Sequence, residues 1–136
     1  MLGQYLTQLG QELQLPTPSS LDKDGYYPFA LSPDVSLQFQ ELKPGLSFRA
    51  SLAPVPSKAR EFLFLYLLKA NFLGQGTGGR VLGIDAAEQF FVLSHHVTSE
   101  LSYSEFKGLT EEFVNYLCYW QTEVKRLQKA PKSDIF

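Results

Sequence analysis

Apolar side chains recur every three or four residues at the start of the chain, where Leu2, Tyr5, Leu6, Leu9 and Leu13 share one face until Pro16 ends the pattern. That period predicts an amphipathic helix over about the first fourteen residues. Residues 16–28 mix turn formers with charges, which predicts a surface loop without regular structure. The period then shortens to two. Phe29 and Leu31 alternate with Ala30 and Ser32, Val35, Leu37 and Phe39 with Ser36, Gln38 and Gln40, and Leu46, Phe48, Ala50 and Leu52 with Ser47, Arg49 and Ser51. Turn sequences at Ser32-Pro33-Asp34 and Lys43-Pro44-Gly45 separate the three runs, so they predict an antiparallel meander.

Pro54-Val55-Pro56 breaks the alternation, Ser57 is a capping residue type, and residues 58–71 predict a second helix. Its middle, residues 62–68, is apolar for nearly two turns, whereas a helix lying on one sheet needs an apolar stripe only about 100° wide. Something must cover the far side. In a small chain an identical subunit does so most simply, because a two-fold axis lets one patch pair with its own copy. A homodimer is therefore predicted. The glycine-rich stretch 74–79 ends the helix, residues 80–85 and 89–97 predict a hairpin, and Ser102 with Glu105 has the spacing of a capping box. Phe106, Leu109, Phe113, Leu117, Trp120, Val124 and Leu127 then predict a long helix that stops before Pro131. The predicted fold class is α+β: a helix, a three-strand antiparallel meander, a helix, a two-strand hairpin and a long carboxy-terminal helix. Residues 1–128 form a single domain, and 129–136 a flexible tail.

Composition narrows the function classes. The 136 residues are 44% hydrophobic and 19% charged, enough apolar matter for one core and too little length for a multidomain enzyme. A net charge of −2 and a pI near 5.6 lack the basic excess that binding to nucleic acid requires. One cysteine forms neither an intramolecular disulfide nor a structural zinc site, which points to a reducing cytoplasm. Residues 1–16 hold no Lys or Arg and no unbroken apolar run, so a signal peptide is not expected, and no stretch is long enough for a membrane span.

No catalytic constellation emerges. Gly74, Gly76 and Gly79 match the dinucleotide fingerprint in spacing, but they follow a helix and precede a strand, the reverse of the order that aims amides at a pyrophosphate. A helix end with a tight turn is the better reading. His95 and His96 are adjacent on a strand and point to opposite faces, so no metal site is expected. Cys118 lacks an activating cation beside it and reads as a small packing residue. Asp22 with Asp24 and Glu111 with Glu112 read as solvated charges, and neither a Gly-x-Ser-x-Gly elbow nor an HExxH motif is present. No catalytic residue, metal or cofactor is assigned. What stands out is apolar surface, together with an outer meander strand whose backbone can pair with an extended segment of another chain.

Leu67-Leu68-Lys69-Ala70-Asn71, then Thr77-Gly78-Gly79, Leu82 and Asp85, followed by a capped helix with Phe106, Phe113, Val114 and Trp120, resembles the Tir-chaperone (CesT-like) family of class I type III secretion chaperones. The resemblance spans about residues 29–127. It implies a cytoplasmic bacterial homodimer, or a heterodimer with a second chaperone, that binds the unfolded amino-terminal segment of one or more secreted effectors in an export-competent state without ATP hydrolysis. The secretion ATPase or sorting apparatus would be a further partner. It implies a dimer role for Phe62, Phe64, Leu65, Leu68 and Phe72, and an effector-binding role for Leu2, Leu6, Leu9, Leu13, Phe29, Leu31, Leu37 and Phe39. The rival reading is a dimeric adaptor or regulator on the same fold that binds a folded partner.

Overall fold

The computed structural model describes residues 1–17, 20–58 and 60–129. Helix α1 (Leu2–Leu13) leads into strands β1 (Tyr27–Ser32), β2 (Val35–Glu41) and β3 (Leu46–Pro54). Helix α2 (Arg60–Asn71) follows, with a 3-10 turn at Phe72–Gly74, then β4 (Val81–Ile84), β5 (Phe90–Val97) and the long helix α3 (Tyr103–Lys129). The strands form one sheet in the order β1-β2-β3-β5-β4, with β1/β2, β2/β3 and β4/β5 antiparallel. This is the predicted α+β order, with β1 starting two residues before the alternation at Phe29. The second helix is expected from residue 58, but Lys58 lies in a bend and α2 begins at Arg60, with residue 59 outside the described residues. Of the expected tail 129–136, Lys129 is the last residue of α3, and 130–136 lie outside the described residues.

Contacts gather into two compact units whose limits fall inside β3, β5 and α3. In the unit formed by residues 1–50 and 96–114, the period-two pattern places Phe29, Leu37, Phe39, Leu46, Phe48 and Ala50 on one buried face of the strands. Leu2, Leu6 and Leu9 of α1 and Phe106 and Phe113 of α3 complete the core. The register sets Phe39 directly opposite Phe48, and the Phe48 ring lies 5.4 Å from both Phe39 and Phe113. Such aromatic packing adds about 0.5–1.5 kcal/mol per pair beyond area burial. Gly45 is required here, because its φ is +102° and a Cβ would stand 1.8 Å from the Val97 carbonyl oxygen.

Helix α1 ends where Gln14 takes a left-handed conformation and the Leu15 amide donates to the Gly10 carbonyl at 2.9 Å. Its start is tied to β2 by the Leu2 amide donating to Glu41 Oε1 at 2.8 Å, which holds the Glu41 carboxyl below its ordinary pKa. The Tyr5 hydroxyl donates to the Leu101 carbonyl at 2.7 Å, and Lys107 pairs with Glu12 at 2.9 Å. At the start of α3 the expected capping box forms, Glu105 N–H donating to Ser102 Oγ and Ser102 N–H to Glu105 Oε1.

The loop before β1 is held by Asp22. Its Oδ1 accepts from the amides of Tyr26 and Asp24, both at 2.9 Å, and its Oδ2 accepts from Gln38 Nε2 at 3.0 Å. Arg49 then stacks its guanidinium 4.0 Å from the Tyr26 ring centre. The Tyr26 amide first, and then the Asp24 amide and Gln38, lower the Asp22 pKa below its ordinary 3.8. A carboxylate with a lowered folded pKa stabilises the folded loop above its unfolded pKa, and that contribution disappears as pH falls through the folded value. Below pH 3.8 the Tyr26 amide is therefore expected to lose protection from hydrogen exchange before the strands do, and Asp22→Asn should abolish that acid step. An unchanged acid step in Asp22→Asn would show that another group holds the loop.

In the second unit, residues 51–95 with those from 115 onward, α2 buries only Leu63 and Leu67. They share a core with Leu52, Leu82, Phe91, Leu93, Leu117, Trp120, Val124 and Leu127. The glycine stretch behaves as a helix end: Gly76 N–H donates to the Ala70 carbonyl at 3.0 Å, and Gly74, Gly78 and Gly79 have positive φ. Arg80 is buried over the Tyr116 ring at 4.9 Å and donates to the Gly78 carbonyl at 2.8 Å, so positions 78–80 close around a guanidinium of this chain.

Candidate binding surfaces

The eight expected effector contacts separate by depth. Leu2, Leu6, Leu9, Phe29, Leu37 and Phe39 are each at most 3% exposed, so they are core and present no surface to a partner. This corrects the expected groove. Apolar residues on the inner face of an amphipathic helix or strand are covered by the neighbouring element before any partner arrives. Leu13 is exposed and Leu31 half-buried, and the expectation narrows to these two. Cys118 needs the same correction. It is exposed, because one residue along α3 from the buried Leu117 is a turn of about 100° away from the core.

The expected dimer residues are placed differently. Phe62 and Phe64 are half-buried, the Phe64 ring standing edge-on to Phe91 at 5.9 Å. Leu65 is 46% exposed, and Leu68 and Phe72 are each 65% exposed, three large apolar residues at helical spacing along α2 and into the 3-10 turn that follows it. Leu73, which the periodicity did not single out, is 79% exposed and sits in a left-handed conformation at φ 54°. A non-glycine residue rarely adopts that conformation, and here it turns the side chain outward at the helix end. Val81 and Ile84 of β4 are also exposed.

An aromatic cleft of about 480 Å³ lies in the same unit, lined by Tyr66, Lys69 and Ala70 of α2, Gln75 and Gly76, and Tyr116, Tyr119 and Trp120 of α3. Trp120 forms its wall and donates Nε1–H to the Gly76 carbonyl at 3.0 Å. A second, more polar groove of about 830 Å³ runs along the exposed face of α1, where Gln4, Thr7, Gln8 and Gln11 face Tyr27 and Glu41. His95 is half-buried and His96 exposed. Among the described residues no three His, Cys, Asp or Glu side chains converge on a point where a metal could sit, and no helix is long and apolar enough to cross a membrane.

The model of the Tir chaperone protein (CesT) family matches residues 4–121. The chain belongs to this family. The match extends the resemblance at Leu67 to Asn71 and Thr77 to Gly79 back through the 16–28 loop into α1, where the sequence resemblance did not reach. Among relatives of this CesT-family member, the Chlamydia pneumoniae protein CPj0713/CpB0740 is 26% identical over 126 residues, covering 91% of this chain and 96% of that protein. The ExsC–ExsE complex contains a chain of 17% identity that superposes with a TM-score of 0.71, covering 89% of this chain and 91% of its own. The HopA1–SchA chaperone–effector complex gives a TM-score of 0.62 at 15% identity, covering 88% and 91%. The heterodimeric ExoU–SpcU complex from the type III secretion system of Pseudomonas aeruginosa gives 0.63 at 22% identity, covering 90% and 93%. At these identities the likeness is one of fold.

Proposed function

We propose that this chaperone works as a homodimer in the bacterial cytoplasm, capturing the amino-terminal segment of a secreted effector and keeping it extended and ready for export without hydrolysing ATP. The observation that carries this reading is the bare strip of Leu65 and Leu68 on α2 and Phe72 at the turn that ends it. Apolar area left in water costs on the order of 25 cal/mol per Å², and a contiguous apolar strip on a small chain marks a surface that a partner covers. The strip falls on one helix face, the geometry that a two-fold axis pairs with itself. Family membership supports a secretion client, as do the chaperone–effector and type III secretion complexes in which chains of this fold occur. An unfolded client pays for its own ordering, so it needs a long contact, typically burying 1,000–3,000 Å². The α1 groove, with Leu13 and Leu31 exposed or half-exposed on the same unit, supplies surface for the client beyond the dimer strip.

Light scattering of the purified chain is expected to give twice the 15.3 kDa of one copy. The tagged chain, isolated from its own cytoplasm, should carry an effector whose protease-protected segment lies near that effector's amino terminus and binds again as an unfolded synthetic peptide. A monomer that binds no such segment would overturn the proposal.

A further inference from the structure

Asn71 and Thr77, two residues of the stretch that carries the family resemblance, are placed against the edge of the sheet at β4. This strand has a neighbour on one side only, β5, so every second residue turns its N–H and C=O away from the sheet. The Asp85 amide donates to the Phe90 carbonyl at 3.0 Å, which makes these two a hydrogen-bonded pair. The register carries the same phase to Gly83 with Val92 and to Val81 with Ser94. Residues 80, 82 and 84 therefore face outward.

Such an edge invites another strand. Residues 81–84 carry no charge and no proline, their register is unbroken by a bulge, and Val81 and Ile84 are exposed apolar side chains. The devices that ordinarily keep an edge from templating a second strand are thus missing from β4 itself. At Leu82 the Asn71 carboxamide stands where a neighbouring strand would: the Leu82 amide donates to Asn71 Oδ1 at 2.8 Å, and Asn71 Nδ2 donates to the Leu82 carbonyl at 2.7 Å. One planar group supplies both the donor and the acceptor, as a peptide unit does. Asn71 is the last residue of α2, so the helix end fixes where that group sits. At Arg80 the fully buried Thr77 acts likewise, its carbonyl accepting from the Arg80 amide and its hydroxyl donating to the Arg80 carbonyl. A strand arriving at positions 80 and 82 would have to break both pairs of bonds.

We infer that Asn71 and Thr77 act as a surrogate strand that closes the β4 edge, so that copies of this chain meet through side chains and their sheets do not join across β4. The inference is independent of the client reading and of which face forms the dimer. It gives the Ala-Asn to Thr-Gly-Gly stretch the task of keeping this sheet from extending into another copy.

Residue-resolved hydrogen exchange and light scattering on the full chain test this. In the wild-type chain the Leu82 and Arg80 amides should exchange at least about tenfold more slowly than Ile84, the factor expected from one retained hydrogen bond of typical strength. Asn71→Ala combined with Thr77→Val should speed Leu82 exchange by about the same factor. In light scattering that double variant should show at least about twice the wild-type mean mass at equal concentration, because its open edges pair. Adding Ile84→Pro removes an outward N–H and no β4/β5 ladder bond, so it should return the mass to the wild-type value. That rescue separates edge pairing from simple loss of stability, since a proline at the edge does not mend a weakened fold. Leu82 exchange as fast as Ile84 in the wild-type chain, wild-type mass in a folded Asn71→Ala, Thr77→Val chain, or assemblies that Ile84→Pro leaves in place would each overturn the inference. Where the double variant does not fold, the wild-type exchange rates still decide whether the edge is closed. A monomeric wild-type chain would overturn the dimer reading and leave this comparison standing, because each mass is referred to the wild-type value.

Discussion

Phe48→Ala is expected to lower the free energy of unfolding by about 3–5 kcal/mol, the cost of emptying a close-packed aromatic site. The Phe48 ring is fully buried, pairs across the ladder with Phe39, and lies 5.4 Å from Phe39 and Phe113 and 6.4 Å from Phe106. Four aromatic residues from two strands and one helix define the site, and rings supported from several sides close poorly over a cavity. Against the roughly 5–15 kcal/mol by which domains of this size are stable, that loss leaves little margin. Urea unfolding followed by far-ultraviolet circular dichroism measures it. A loss below about 1 kcal/mol would mean that neighbouring side chains collapse into the space, contrary to the packing described.

Leu65→Asp is expected to convert the proposed dimer to a monomer while leaving the fold of each chain intact. With Leu65 46% exposed, the substitution costs the single chain no more than about 0.5 kcal/mol, the usual range at the surface. In a dry interface the same carboxylate would be desolvated without a partner, a cost of several kcal/mol per copy. Leu63→Asp makes the contrast. Two residues away on α2 but only 1% exposed, it should unfold the chain whether or not a dimer forms. Light scattering separates the variants, and a soluble, folded dimer of Leu65→Asp would remove α2 from the interface.

Elements with a clean period were legible from the sequence. Alternation placed β1 to β3, although Ser47 on the expected polar face is buried and Leu31 and Val35 are only half-buried, and the capping box located the start of α3. The long α3 stripe differs at one step: Thr110 is buried and donates its hydroxyl to the Phe106 carbonyl, while Leu109 is half-buried. Depth was less legible than direction. Leu9 and Leu13 belong to one stripe, yet Leu9 is buried and Leu13, in the last turn, is exposed. A hydrophobic pattern says which face turns inward and is silent on where the covering element stops. The apolar middle of α2 did indicate a side left uncovered, because Leu65 and Leu68 exceed what one sheet can hide. The paired bonds between the Asn71 carboxamide and the Leu82 backbone, at 2.7 and 2.8 Å, could not be read at all, since they depend on which way the backbone of Leu82 faces, a matter of ladder phase and not of residue type.

The sole tryptophan sits in the wall of the aromatic cleft, 2% exposed, with its indole N–H held by the Gly76 carbonyl. The chain therefore carries one indole fluorophore beside its seven tyrosines, placed at the turn that joins α2 to β4. Its emission will sense a peptide or a second copy that reaches Tyr119 and Lys69. Spectral shifts on mixing thus offer a label-free way to tell occupation of this cleft from occupation of the α1 groove, where the neighbouring chromophore is Tyr27.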